Sequence, residues 1–379
     1  MQGNLQKRSK GSWRLRYDGP PDGNGRRRQV TETIRGTRKE AERVLRERIA
    51  TAENGGYVPK RKDTVNSFLR KWIDTYVATN TTVRTLHGYQ GYIDRYITPT
   101  IGSIPLQSLT APQVQKVYAD LQGRGLNANT IGQLHRIFKE SLSHAVKWGI
   151  LSRNVAEAVT PPKAARNQTN MWDVETILRF LEATNAGRFG TLYRFATLTG
   201  MRRSEICGLK WECVDLPRSS LSVVTTLQRI SGYGLVEGQP KTAKSRRSIA
   251  LSPDTVALMH DIRGRQMEQR LSVGDTWRES GYVFTEEDGS PIVPDKITQD
   301  FARVVKRLGL PYLSFHGLRH VHATLLLLAG TNPKIVSERL GHSNIAITMD
   351  IYSHVLPGLQ EAAALAIDKQ IGIGLPIAE

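Results

Sequence analysis

The sequence predicts a multidomain, α-rich protein in three parts: a small β-sheet with one helix at residues 1–58, an all-α bundle at 64–160, and an α+β domain at 170–379. Three observations carry this reading. The apolar period changes from two to about 3.6 at Thr37. Between Thr64 and Val159 only helical periods occur, whereas beyond Met171 helical stretches mix with short strand-like ones. Two linkers, Lys60-Arg61-Lys62 and Pro161-Pro162 with the polar run 163–170, mark the joints. At 379 residues the chain is also too long for one ordinary core.

In the first part, Trp13-Arg14-Leu15-Arg16-Tyr17 alternates apolar and basic residues, as a half-buried strand does. Residues 18–25 are dense in turn formers, and 26–34 read as a second strand with Val30 and Ile34 at even spacing, closed by Gly36. Thr37 with Glu40 forms a capping-box pattern. Ala41, Val44, Leu45, Ile49 and Ala52 then share a helical face, and Asn54-Gly55-Gly56 ends the helix. Arg14, Arg16, Arg26, Arg27 and Arg28 are expected to project from the sheet, and such a basic sheet suits a DNA groove. The second part reads as helices near 65–78, 83–97, 111–122 and 130–148, broken at Pro99, Gly102, Pro105 and Pro112. The third reads as helices near 173–184 and 191–198, strands near 222–226 and 247–251, then helices near 254–270, 294–308, 320–329, 333–340 and 345–354. A last helix is expected near 359–369.

Composition narrows the function classes. Lys and Arg number 53 against 35 Asp and Glu, a net charge of +18. The excess is +9 over residues 1–63, +5 over 64–160 and only +4 over 161–379. A polyanion is therefore the expected partner, nucleic acid before an anionic membrane surface. The first residues hold no apolar signal core, and the longest apolar stretch, within 323–330, is far short of a bilayer span. Two cysteines, Cys207 and Cys213, cannot build a disulfide framework or a usual zinc set. A cytoplasmic protein is the expectation.

The chemistry concentrates in the third part. Thr199-Gly-Met-Arg202-Arg-Ser204-Glu205 sits at a helix–helix turn, with Gly200 allowing the turn, Ser204 or Thr199 available as cap, and Glu205 a local partner for Arg202. His316 and Arg319 stand at i and i+3, with His320 and His322 beside them. A zinc-protease helix would need a glutamate where Gly317 stands, so no metal is expected. His342 lies in a helix-stop, helix-start segment, and Tyr352 follows ten residues later on an amphipathic stretch. Lys241 lies in Pro240-Lys-Thr-Ala-Lys244-Ser-Arg-Arg, which looks like strand-turn-strand. Taken singly these are a surface arginine, a packing tyrosine and a solvated basic hairpin. Together they supply what metal-free phosphodiester chemistry needs. Guanidinium groups clamp the non-bridging oxygens, imidazoles hydrogen-bond or move a proton, a lysine protonates the leaving alkoxide, and a tyrosine holds the phosphate covalently. Covalent storage of the phosphodiester makes a nucleotide cofactor unnecessary, and no GxxxxGK[ST] segment occurs.

In order and wording, TGMRRSE, PKTAKSRRSIAL, HGLRH and LGHSN followed by DIY resemble the tyrosine recombinases of the phage-integrase family, and the match runs over nearly the whole chain from Gly11. The resemblance implies an AP2-like arm-binding domain, a SAM-like core-binding domain and the family's catalytic domain, the last two closing a C-shaped clamp on DNA. It implies that Arg202 and Arg319 bind the scissile phosphate, that His316 assists proton transfer, and that His342 hydrogen-bonds the phosphate. Lys241 on a β-hairpin would be the general acid, with Lys244 the competing choice. Tyr352 would attack to give a 3′-phosphotyrosine, and Glu205 would support the first arginine. It further implies double-stranded DNA at core and arm-type sites, a homotetramer joined through the tail after Tyr352, a Holliday-junction intermediate, an excisionase or DNA-bending factor as further partner, and no cofactor. Two other classes fit parts of the pattern: a type IB topoisomerase, which relaxes supercoils as a monomer, and a non-catalytic DNA-binding protein.

Overall fold

The computed structural model describes residues 3–19, 28–53, 58–164, 171–240 and 245–355, with 365, 367 and 368; for 352–355 it describes the backbone only. The chain divides into two compact units, residues 1–166 and 167–379.

The first unit opens with an antiparallel sheet of β1 (Gly3–Ser9), β2 (Ser12–Gly19) and β3 (Arg28–Arg35), in the order β1-β2-β3. The apolar period does not predict β1, because Gly3–Ser9 holds one large apolar side chain, Leu5, and pairing with β2 recruits the rest. Leu5, Leu15 and Glu32 stand opposite one another on one face, as do Trp13 with Ile34 and Tyr17 with Val30. Helix α1 (Arg38–Glu53) covers that face with Ala41 and Leu45. Its start is the expected capping box: the Thr37 N–H donates to Glu40 Oε2 at 2.7 Å and the Glu40 N–H to Thr37 Oγ1 at 3.3 Å. The opposite face carries Arg14 between Gln6 and Thr33, and Arg16 between Asn4 and Thr31. Arg28 faces Gly19, in step with Val30 and so off the Arg14/Arg16 face. Arg26, Arg27 and the Asn54-Gly55-Gly56 stop lie outside the described residues.

A separate core follows. It is built from α2 (Val65–Trp72), α3 (Ala78–Asn80), α4 (Val83–Tyr92), α5 (Thr98–Ile101), α6 (Ala111–Gly123) and α7 (Ala128–Lys147). Five-residue π-helical turns at Ile73–Val77 and Ile93–Ile97 join α2 to α3 and α4 to α5, so each expected helix runs on beyond its sequence-based end. Helix α7 buries Ile131, Leu134, Ile137, Phe138, Leu142 and Ala145, the expected stripe. Trp72 is fully buried, stacks on Tyr76 and Tyr89, and donates from Nε1 to His144 Nδ1 at 2.7 Å.

The second unit begins with α8 (Val174–Thr184), α9 (Gly190–Thr199) and the short α10 (Arg203–Cys207). Strands β4 (Val214–Asp215), β5 (Ser220–Val223), β6 (Thr226–Ile230), β7 (Gly234–Gly238) and β8 (Arg247–Ala250) follow. They form two sheets, β4-β5-β8 and β6-β7. The single strand expected near 222–226 is therefore two strands in different sheets. Strand β7 pairs with β6 and β8 with β5, while Lys241 and Lys244 of the expected strand-turn-strand lie outside the described residues. The hairpin turn lies earlier, where Gly232 and Gly234 take positive φ. Then come α11 (Pro253–Val273), α12 (Pro294–Arg307), α13 (Gly317–Leu328), α14 (Pro333–Leu340) and α15 (Ala346–Val355). One large core joins Phe180, Tyr193, Phe195, Ile249, Phe301, Phe315 and Val321. A smaller cluster of Ala323, Leu327, Val336 and Leu340 holds α13 to α14, with Ile351 of α15 against it. The expected tail helix lies almost wholly outside the described residues. Among the described residues no helix is long and apolar enough to cross a membrane.

Truncating Trp72→Ala should cost the bundle about 3–5 kcal/mol through the cavity and the missing hydrogen bond. Urea denaturation of the full chain would read this as a lower midpoint for the transition reporting on residues 64–160; a midpoint unchanged within error would show that the ring does not hold that core.

Candidate active site

Helix α9 stops at Gly200, whose φ of +63° is left-handed. A Cβ there would fall 2.5 Å from His322 Cδ2 and 2.7 Å from Leu340 Cδ2, so only glycine lets the turn approach α13 and α14. The turn delivers Arg202 to the N-cap of α10 in extended conformation. The expected caps Ser204 and Thr199 do not serve. Ser204 lies inside the helix, and the Thr199 hydroxyl donates back to Phe195 O at 2.7 Å. The Glu205 carboxylate caps instead, accepting the Arg202 N–H at 2.9 Å on Oε2 and Arg202 Nη1 at 2.6 Å on Oε1.

The C-terminus of α14 organises the rest. Its last carbonyls lack intrahelical donors and carry the negative end of the helix dipole. Three successive carbonyls each take a different guanidinium. Arg247 Nε donates to Arg339 O at 2.6 Å, Arg319 Nη2 to Leu340 O at 2.6 Å, and Arg202 Nη2 to Gly341 O at 2.9 Å. Arg319 also donates from Nη1 to Gly200 O at 2.8 Å, which ties the end of α9 to the end of α14. Burial and the neighbouring Arg202 press the Arg319 pKa down to about 9, opposed by Glu205, which still leaves it charged at neutral pH. Desolvation would raise the Glu205 carboxyl, but hydrogen bonds and charge from Arg247 and then Arg202 hold it below its ordinary value.

The imidazoles are neutral here. His342 is buried and shares a hydrogen bond of 2.8 Å between Nδ1 and the fully buried Thr348 Oγ1 on α15. His316 opens α13, with its ring edge-on to His320 at 5.3 Å between centroids. Desolvation, then His320, Arg319 and Arg202, push His316 down to about 4 despite its exposed edge. Desolvation, then Arg319 and Arg202, take His342 to about 4 as well. Tyr352 lies on α15 one turn past Thr348, and α15 packs on α13 and α14. Lys241 and Lys244 lie outside the described residues. A cleft of about 270 Å³ lined by Arg202, Glu205, Thr226, Gln239, Gly341 and Ser343 opens beside the cluster. A cavity of similar size, lined by Arg188, Phe189, Gln266 and Ile292, holds none of the sequence-identified residues. Among the described residues no three His, Cys, Asp or Glu gather into a metal-binding group.

Sequence reasoning places Arg247 in a motif but gives it no role, and passes over Arg339 and Thr348. Arg247 had a signal: it shares the alternation of the inward Ile249, and a buried arginine demands an acid. Arg339 had none. It donates to Ala250 O, Leu198 O and His322 Nε2, partners that lie 89, 141 and 17 residues away along the chain.

Guanidiniums gathered at the end of α14 beside imidazoles, with Tyr352 on a helix packed on α13 and α14, form the candidate centre. The chain belongs to the phage integrase family. The family model described as phage integrase family matches residues 169–358, and that of the N-terminal SAM-like domain matches 64–122. A tyrosine recombinase XerC-like protein of Caldanaerobacter subterraneus is 30% identical over 339 residues, covering 85% of this chain and 87% of that one. The ICEBs1 integrase of Bacillus subtilis is 25% identical over 278 residues, covering 73% and 75%. Among solved structures, the Tn1549 transposon integrase in complex with a circular intermediate DNA aligns with TM-score 0.69 at 21% identity, over 80% of this chain and 99% of that one. A lambda integrase tetramer bound to a Holliday junction aligns with TM-score 0.58 at 17% identity, over 92% and 94%. The chain is thus a tyrosine-type site-specific recombinase of the integrase kind, with the multidomain, α-rich fold expected.

The histidine shifts set a pH dependence. His316, His322 and His342 lie at about 4 in the folded chain against an ordinary 6.5. Between those values the unfolded chain binds more protons, so stability falls as pH drops from 6.5 toward 4. Denaturation midpoints across that interval should fall, and His322→Asn should flatten the fall; a profile unchanged by His322→Asn would refute its share.

Proposed function

We propose that this chain integrates, and also excises, a mobile element or prophage by cleaving and rejoining DNA strands through a 3′-phosphotyrosine intermediate and a Holliday junction. The observation that supports this best is the presentation of Arg202 and Arg319 by adjacent carbonyls, Gly341 O and Leu340 O, at the end of one helix. In the cleavage step the Tyr352 phenolic oxygen bonds to phosphorus and the bond from phosphorus to the 5′ oxygen breaks. Arg202 and Arg319 neutralise the non-bridging oxygens of the pentacoordinate transition state. A neutral His316 is able to accept the phenolic proton. The hydrogen bond between Nδ1 and Thr348 Oγ1 fixes the His342 ring and leaves Nε2 for the phosphate, which receives a proton from it in the tautomer whose Nδ1 accepts from the hydroxyl. Lys241, with Lys244 as the alternative, protonates the departing 5′ hydroxyl, and religation reverses each transfer.

The proposed partners are duplex DNA at core and arm-type sites, a second to fourth copy of this chain in a tetramer, and an excisionase or DNA-bending factor. We read residues 1–58 as the arm-site reader, 64–160 as the core binder and 170–379 as the catalytic part. Arg14 and Arg16 on the outer face of the N-terminal sheet form its DNA-facing set, joined by Arg26 and Arg27 ahead of β3, whereas Arg28 lies on the other face and is left out of it. Action on chromosomal DNA puts the enzyme in the cytoplasm, at the nucleoid. Relaxation of supercoils without any paired-site product would favour the topoisomerase reading instead.

A nicked suicide duplex spanning the crossover sequence, read from the DNA junctions flanking this gene, should trap a covalent adduct in EDTA without ATP. Tyr352→Phe should abolish the adduct and leave binding intact, whereas an adduct that persists would refute the nucleophile. Deleting residues 1–60 should weaken arm-site binding. It should also flatten the dependence of log K on log salt by about 0.9 for each phosphate no longer neutralised by the protein. An equal slope would mean that the arm's charge is not on DNA.

A further inference from the structure

Arg247 takes no part in the chemistry just described, yet it is the more deeply buried of the two cations on Glu205. Its side chain is 6% exposed and that of Glu205 2%, against 32% for Arg202. Strand β8 places Arg247 on the inward face with Ile249. From there Nη2 donates to Glu205 Oε2 at 2.9 Å, Nη1 to Glu205 Oε1 at 3.2 Å and to Ser245 O at 3.1 Å, and Nε to Arg339 O at 2.6 Å. Four of the five N–H bonds of a guanidinium are thus committed to protein. Arg202 borders the cleft together with Glu205, whereas Arg247 lines a neighbouring cavity with Ser337 and His342.

The charge count gives this arrangement a consequence. Arg202 and Glu205 alone make a neutral pair, and a carboxylate in a dry site holds its guanidinium strongly. An anionic phosphate would then compete with Glu205 for Arg202. A second guanidinium on the same two oxygens removes that competition. We propose that Arg247 is a positioning residue for strand cleavage. It neutralises Glu205 from the protein side, so that the Arg202 charge stays available to the scissile phosphate and Arg202, Arg247, Arg319 and Glu205 together present a net charge of +2 instead of +1. This rests on the functional reading above and adds to it the reason a carboxylate can sit beside the first arginine. The neutral state of His316 and His342 agrees with it, since the guanidiniums then carry the positive charge among the described residues of the centre.

The test uses single-turnover cleavage of the suicide duplex at saturating protein, with two scissile groups: the ordinary phosphodiester and a neutral methylphosphonate. Arg247→Met should slow phosphodiester cleavage between about 10- and 100-fold, less than the roughly 100- to 1,000-fold lost with a donor that touches the transition state itself. It should slow methylphosphonate cleavage by less than about threefold, because that group has no charge to neutralise. Equal losses on both substrates would reduce Arg247 to a structural prop and overturn the proposal. Adding Glu205→Gln to Arg247→Met restores the net charge, so the double variant should cleave the phosphodiester faster than Arg247→Met alone; an equal or slower rate overturns it too. If thermal melting shows Arg247→Met unfolded, Arg247→Lys carries the test. It keeps the charge and gives up the bond to Arg339 O, so the ratio of phosphodiester to methylphosphonate rates should match the unaltered protein, and a fallen ratio counts against the proposal. Failure of the unaltered chain to form any adduct would sink the functional reading itself. An adduct formed as fast by Arg247→Met would sink this inference alone.

Discussion

The catalytic unit depends on one feature, the buried carbonyl end of α14. A helix terminus leaves acceptors that some donor must satisfy. Here Arg339 O, Leu340 O and Gly341 O take Arg247, Arg319 and Arg202, which arrive from β8, α13 and the turn after α9. Each guanidinium is oriented by a backbone atom, whose position is set by the helix and not by a side-chain rotamer. The left-handed Gly341 closes the helix at that point, and the left-handed Gly200 brings the other turn close enough for Arg319 to span both. Alteration at either glycine would therefore reach all of the cations through the backbone, without touching any of them.

The electrostatics of the centre follow from the same packing. Burial first, and then the guanidiniums crowded around one carboxylate, raise the cost of any further positive charge nearby. The imidazoles answer by staying neutral, which suits one to accept a proton and another to donate a hydrogen bond. Arg339 extends the scheme one layer outward. Its contacts with Leu198 O, Ala250 O and His322 join the segment before the Arg202 turn, the strand bearing Arg247 and the helix bearing Arg319. The cluster is thus braced from behind by a cation that does not border the cleft.

The first unit solves a different problem. Its charge is spread over a sheet face and helix surfaces, and its two cores are apolar and separate. In the N-terminal sheet the period of two sorts Leu15 and Tyr17 inward and Arg14 and Arg16 outward, so a single strand supplies both the core and a basic surface. Among the described residues there, no ion pair is held as tightly as the Glu205 cluster.

Most helices were legible in the sequence, and so were the segments that bring Arg202, Glu205, His316, Arg319 and His342 to the candidate site, because local period, caps and ordered motifs are properties of neighbouring residues. Even the Arg202–Glu205 pairing was legible, since it spans one helical turn. The tertiary structure decided what depends on distant partners. Val223 and Thr226, three residues apart, joined different sheets. Glu205, not Ser204 or Thr199, capped α10, because Arg247 from 42 residues away holds the carboxylate in place. Arg247 showed only its place in the strand alternation and Arg339 no signal at all, for the same reason. A hydrogen bond to a carbonyl at the end of another helix leaves no mark on the sequence of either partner.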